Sequence, residues 1–108
     1  AHFLPLVPEG HKCGRTHGHS YEVDVYISGD VNEKGWVMDF SEVGDVCKPT
    51  ISRLDHTHLN DAMYNPTSEL LARFLYEEWK PSLPGLTKVV VSETRGTCAA
   101  YSAEGQSL

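Results

Sequence analysis

Between His19 and Ser28 the chain alternates without a break. Tyr21, Val23, Val25 and Ile27 fall on one side, and Glu22, Asp24, Tyr26 and Ser28 on the other. Strict alternation is the period of a strand with one face on a core and the other toward water. Such a strand needs something apolar to cover its first face, which constrains every later element. The head of the same stretch carries chemistry. His17-Gly18-His19 places two imidazoles at i and i+2, on one side of an extended backbone. His2 can supply a third if Ala1–Leu4 is a strand paired with the one that bears His17 and His19. Three neutral imidazoles with an open fourth position form the ligand set of a catalytic zinc site. His2, His17 and His19 are therefore the expected zinc ligands. Gly18 keeps the approach to ion and substrate uncrowded, and Cys13, in the pattern Cys13-x-x-x-His17, gives the site a thiol neighbour.

The rest of the chain supplies the cover. Gly29–Gly35 reads as a polar turn and Trp36–Asp39 as a returning strand, giving a hairpin. Ser41 is the expected cap of a first helix, along which Val43, Val46, Cys47, Ile51 and Leu54 recur at helical spacing. Pro49 lies inside that pattern and is expected to kink or split it. A second helix follows Pro66, capped by Thr67 or Ser68 and carrying the apolar stripe Leu70, Leu71, Phe74, Leu75 and Trp79, until Lys80-Pro81 stops it. Thr87–Thr94 is a strand around Val89-Val90-Val91, with Cys98–Tyr101 as its hairpin partner. The expected order is β-β-α-α-β-β: an α+β domain with a four-stranded antiparallel sheet and two helices on one face. Open sheet edges invite pairing with neighbouring subunits.

At 108 residues, there is room for a single domain, 1–108, and not for two. No apolar run approaches the ~20 residues of a membrane span, and the first residues do not read as a signal peptide. Cys13, Cys47 and Cys98 are an odd set without paired spacing, which fits reduced thiols and a cytoplasmic setting. The net charge of −6 argues against nucleic acid as a partner, because phosphate contacts need clustered Lys and Arg. A small anionic ligand needs only a few local cations, for which Lys12, Arg15 and Arg95 are candidates.

Asp55-His56 is a second reactive pair. A carboxylate and an imidazole orient each other and can tune a thiol, so Cys13, Asp55 and His56 could form one acid–base group. The pair could equally be a helix C-terminal feature, with His56 favoured by the dipole. Glu93, ending the valine-rich strand, is a carboxylate in a place where burial is unfavourable unless it binds something.

Five motifs in order then carry a resemblance: Cys13-x-x-x-His17-Gly18-His19, Gly35-Trp36-Val37-Met38-Asp39-Phe40, Leu54-Asp55-His56-x-x-Leu59-Asn60, Pro66-Thr67-Ser68-Glu69 and Glu93-Thr94. From His2 to Tyr101 the chain resembles the 6-pyruvoyltetrahydropterin synthase family, and most of all its bacterial branch, the 6-carboxytetrahydropterin synthases of queuosine biosynthesis. The short gap between Cys13 and His17 matches that branch. The resemblance implies a tunnelling fold, with trimers closing a barrel and two trimers making a homohexamer. It implies zinc on His2, His17 and His19, proton transfer by Cys13, Asp55 and His56, and active sites shared between subunits. It implies that Glu93 anchors the pterin ring, with Thr67 and Ser68 helping to hold it. Two departures stand out. The full strand that precedes the first histidine in the family is truncated here, and Arg95-Gly96 replaces the common Cys-Thr.

The expected reaction converts 7,8-dihydroneopterin triphosphate to 6-carboxy-5,6,7,8-tetrahydropterin, acetaldehyde and triphosphate. Two alternatives stay open: a 6-pyruvoyltetrahydropterin synthase, which eliminates triphosphate without carbon–carbon cleavage, and a non-catalytic zinc-binding assembly protein.

Overall fold

The computed structural model describes residues 1–94, 97–102 and 105–107. The alternating stretch forms β1 (Glu22–Ile27), with Val23, Val25 and Ile27 turned inward and Glu22, Asp24 and Tyr26 exposed. Two helices follow, α1 (Phe40–Leu54) and α2 (Ser68–Trp79). The chain then runs through β2 (Leu86–Thr94), β3 (Thr97–Ser102) and the three-residue β4 (Gly105–Ser107). The strands are antiparallel in the spatial order β1-β2-β3-β4. Register places Val23 opposite Val91, Val25 opposite Val89, and Val91 opposite Ala99. These residues share one face of the sheet. Val89, Val91 and Ala99 on that face are fully buried.

The helices cover that face. Leu71, Ala72, Leu75, Tyr76 and Trp79 of α2 are buried against it, and Val43, Val46, Cys47, Ile51 and Leu54 of α1 join the same core. The Trp79 indole N–H donates to Thr50 Oγ1 at 2.9 Å inside this core, tying the helices together. A buried donor left unpaired costs roughly 1–3 kcal/mol, so the bond contributes to specificity more than its net strength suggests.

The expected α+β class, the antiparallel sheet and the two helices are present, but the expected β-β-α-α-β-β order is not. Trp36–Asp39 is turn and bend rather than strand. Asn32 explains why: its side-chain oxygen accepts from the N–H groups of Lys34 (2.9 Å) and Trp36 (3.3 Å). Its own N–H donates to Trp36 O at 2.9 Å, and Gly35 takes a φ of +95° that suits glycine. This local turn uses backbone groups that a hairpin would need. Asp39, rather than Ser41, caps α1, with Oδ1 accepting from Ser41 N at 2.9 Å. Pro49 does not split α1, which is continuous through it; the next residue, Thr50, is held by the Trp79 bond. In α2 the cap is Thr67, whose Oγ1 accepts from Leu70 N at 3.1 Å. Arg95 lies outside the described residues.

A candidate metal centre beside an acid–base corner

Ala1–Leu4 does run beside the segment that carries the other histidines. His2 and His17 exchange two backbone hydrogen bonds, each 2.9 Å, and Leu4 N donates to Cys13 O at 2.8 Å. His17 and His19 lie at i and i+2, so all three imidazoles converge. Their ring centroids are 4.5 Å (His2–His17), 5.0 Å (His2–His19) and 4.8 Å (His17–His19) apart, and three ligand nitrogens lie within 4.8 Å of one another. His2 is buried, while His17 and His19 are half-buried. Nothing lies within 4 Å of where a Cβ on Gly18 would stand, so packing within one chain does not itself demand glycine there.

The hydrogen bonds behind the rings decide the state of the nitrogens in front. His2 Nδ1–H donates to the carbonyl of Pro66 at 2.6 Å, and His17 Nδ1–H donates to the carbonyl of Arg15 at 2.6 Å. In a neutral imidazole one nitrogen donates and the other accepts, so both Nε2 atoms present lone pairs. These two Nε2 atoms stand 3.0 Å apart. Two facing lone pairs repel unless a proton or a cation lies between them. Burial, the largest influence, holds the His2 pKa below its ordinary value; His17 and His19 push the same way, opposed by the Pro66 bond and by Glu93. A buried imidazole that resists protonation, backed by a carbonyl, is the arrangement of a metal ligand. The donor set fits a cation such as zinc.

Glu93 joins the cluster from the inner face of β2. Its carboxylate oxygens lie 4.0 Å from His2 Nε2 and 3.8 Å from His19 Nε2. Tyr21, two residues beyond His19, places its hydroxyl 3.3 Å from His2 Nδ1. Burial, then the Glu93 charge, raises the Tyr21 pKa well above its ordinary value, so it stays a neutral phenol. Nothing in the sequence marks Tyr21 as a site residue beyond its place in the alternating stretch, on the same side as His17 and His19. The carbonyls of Pro66 and Arg15 leave no side-chain signal at all.

Asp55 and His56 close α1. His56 takes a left-handed φ of +57°, and its Nδ1 lies 3.0 Å from Asp55 Oδ1. Both are exposed, and both line a cavity of about 440 Å³ together with Ala1, His19 and Tyr21. The structure thus brings Asp55-His56 to one cavity with a histidine of the cluster. Cys13 does not line this cavity. It is half-buried in a turn over Lys12–Gly14, its N–H donating to His11 Nδ1 at 3.0 Å. Thr67 and Ser68 are half-buried at the start of α2 and are also absent from the cavity wall. Thr67 directly follows the carbonyl that holds His2.

The fold and the imidazole cluster together describe a small α+β protein whose three histidines could hold a cation, with the Asp55-His56 pair on the wall of an adjoining cavity. Residues 1–104 match the profile of the 6-pyruvoyl tetrahydropterin synthase family, and the chain belongs to that family. It is 40% identical over 110 residues to the 6-carboxy-5,6,7,8-tetrahydropterin synthase of Synechocystis sp., covering 94% of this chain and 84% of that protein. It is 32% identical over 117 residues to the protein of the same name in Bacillus subtilis, covering 94% and 77%. The fold matches the structure of Caenorhabditis elegans 6-pyruvoyl tetrahydropterin synthase with a TM-score of 0.83 at 24% identity, over 94% of this chain and 86% of that one. Among the described residues no helix is long and apolar enough to cross a membrane.

Proposed function

We propose that this chain is a zinc-dependent 6-carboxy-5,6,7,8-tetrahydropterin synthase of queuosine biosynthesis. It would take up one water and convert 7,8-dihydroneopterin triphosphate to 6-carboxytetrahydropterin, acetaldehyde and triphosphate. The observation that carries this reading is the convergence of His2, His17 and His19, in a chain that is 40% and 32% identical to two relatives that bear that name. Zinc held by the three histidines supplies Lewis acidity toward the oxygens of the substrate side chain.

The protein's own groups do the rest. Cys13, as thiolate, removes a proton from a side-chain carbon. The Asp55 carboxylate accepts the His56 Nδ1–H, the pair lying 3.0 Å apart, which orients the ring so that Nε2 can exchange a proton with substrate. Glu93 pairs its two oxygens with the guanidine-like edge of the pterin, and Thr67 and Ser68 flank the ring. The acid–base group would be completed between subunits, in a cytoplasmic homohexamer of two barrel-forming trimers, the tunnelling fold; the position of Cys13 off the wall that bears Asp55 and His56 is compatible with such sharing.

Incubating purified protein with the triphosphate and identifying products by mass tests the assignment. Acetaldehyde together with the carboxylated pterin is expected. A pyruvoyl product without acetaldehyde would identify triphosphate elimination alone and overturn the carboxy assignment.

A further inference from the structure

We propose that Asn60 is a positioning residue for His2: its carboxamide takes the place of a neighbouring strand along the free edge of Ala1–Leu4 and sets the register at which His2 enters the imidazole cluster. The proposal rests on the metal-binding reading of that cluster.

An extended segment directs the backbone groups of alternate residues to opposite edges. Along Ala1–Leu4, residues 2 and 4 bond to the segment that bears Cys13 and His17. Residues 1 and 3 face the other way, toward the loop between α1 and α2. There Ala1 O accepts from Leu59 N at 2.7 Å. Phe3 N donates to Asn60 Oδ1 at 2.9 Å, and Asn60 Nδ2 donates to Phe3 O at 3.0 Å. Asn60 thus pairs with both groups of one residue, as a strand neighbour would. A primary amide suits this because it offers a donor and an acceptor side by side. Aspartate lacks the donor, and alanine lacks both.

Register is what this clamp controls. A slip of one residue sends every side chain of an extended segment to the opposite face, and here it would withdraw His2 from the cluster. Three backbone bonds tie this segment to the one bearing Cys13 and His17, and the Asn60 pair fixes the same register from the opposite edge. The loop that grips it is itself anchored, for Leu59 is buried at 4% exposure and Pro66, which receives the His2 Nδ1–H, is fully buried. One loop therefore sets both the register of His2, through Asn60, and its ring orientation, through Pro66. The same loop begins with Asp55-His56 at the cavity wall.

The test measures zinc affinity of the full chain by competition with a chromogenic chelator, with the visible spectrum of the cobalt-loaded protein as second readout. Three variants are compared with the parent: Asn60→Ala, Asn60→Asp and Thr50→Val. The last removes the partner of the buried Trp79 N–H and lowers stability far from the cluster. Asn60→Ala is expected to weaken zinc about 10–100-fold, the range for removing a group that orients a ligand. The nearly isosteric Asn60→Asp, which keeps the acceptor and loses the donor, moves the same way if the alanine variant does not fold. Thr50→Val is expected to leave affinity unchanged, and only the Asn60 variants alter the cobalt bands. Unchanged affinity in Asn60→Asp, or an equal loss in Thr50→Val, would overturn the role of Asn60 while leaving the metal site standing. A parent chain that binds no zinc would instead overturn the metal reading, and this proposal with it.

Discussion

His2 and His56 stand near one cavity and are held in opposite ways. The His2 side chain is 1% exposed, whereas the His56 side chain is 91% exposed. His2 is fixed by contacts far away in sequence: its backbone to His17, its Nδ1 to Pro66, its neighbour Phe3 to Asn60. His56 pairs with its immediate neighbour Asp55 and adopts a left-handed backbone that is uncommon for a residue with a Cβ. The imidazole cluster is thus complete within one chain and preorganised. The Asp55-His56 pair is exposed at the wall of a cavity, and in the proposed function the thiol and the substrate would enclose it. Preorganisation suits ion binding, where ligand geometry sets affinity, while an exposed pair is open to the partner subunit that the proposed function brings to it.

The largest effect that separates the two regions is expected from Cys13→Ala. Zinc content should stay at the parent level while kcat falls by about 10²–10⁴-fold, the usual size of a general acid–base contribution. If the corner is completed between subunits, mixing Cys13→Ala with Asp55→Ala under conditions that allow exchange restores part of the activity. A loss of zinc in Cys13→Ala, or no recovery in mixed assemblies, breaks the distinction drawn here.

A smaller effect is expected at Glu93, whose carboxylate lies beside the imidazoles at 3.8–4.0 Å but whose proposed partner is the pterin ring. Glu93→Gln should retain zinc and raise KM roughly 10–100-fold, the equivalent of losing a hydrogen bond to a charged group. A zinc loss with unchanged KM would move Glu93 from the substrate to the metal.

The smallest is a stability change at the corner. Glycine adopts left-handed φ freely, so His56→Gly removes strain of about 1–2 kcal/mol, partly offset by the ~0.5–1 kcal/mol glycine loses in chain entropy. The variant should be as stable as the parent or slightly more so by chemical denaturation, while turnover collapses. A clear loss of stability would show that the His56 side chain holds the fold.

What was legible in the sequence follows the same division. The alternating stretch up to Ile27, the second helix after Pro66 and the Val89–Val91 strand were readable because their apolar residues repeat with the period of the element that they form. The expected strand over Trp36–Asp39 was wrong because the Asn32 side chain, with no periodic signature, bonds the neighbouring backbone into a turn. The histidine cluster was legible because i, i+2 spacing and a paired segment are backbone geometry. The groups that steer the rings were not: the Pro66 and Arg15 carbonyls belong to the backbone, and Asn60 acts at a sequence separation of 57 residues.

The central claim is that His2, His17 and His19 form one preassembled zinc site. Elemental analysis of the purified parent and of His17→Ala tests it most directly. One zinc per chain in the parent and a metal-free His17→Ala, with activity lost alongside the metal, is the predicted result. Full zinc occupancy in His17→Ala would contradict it.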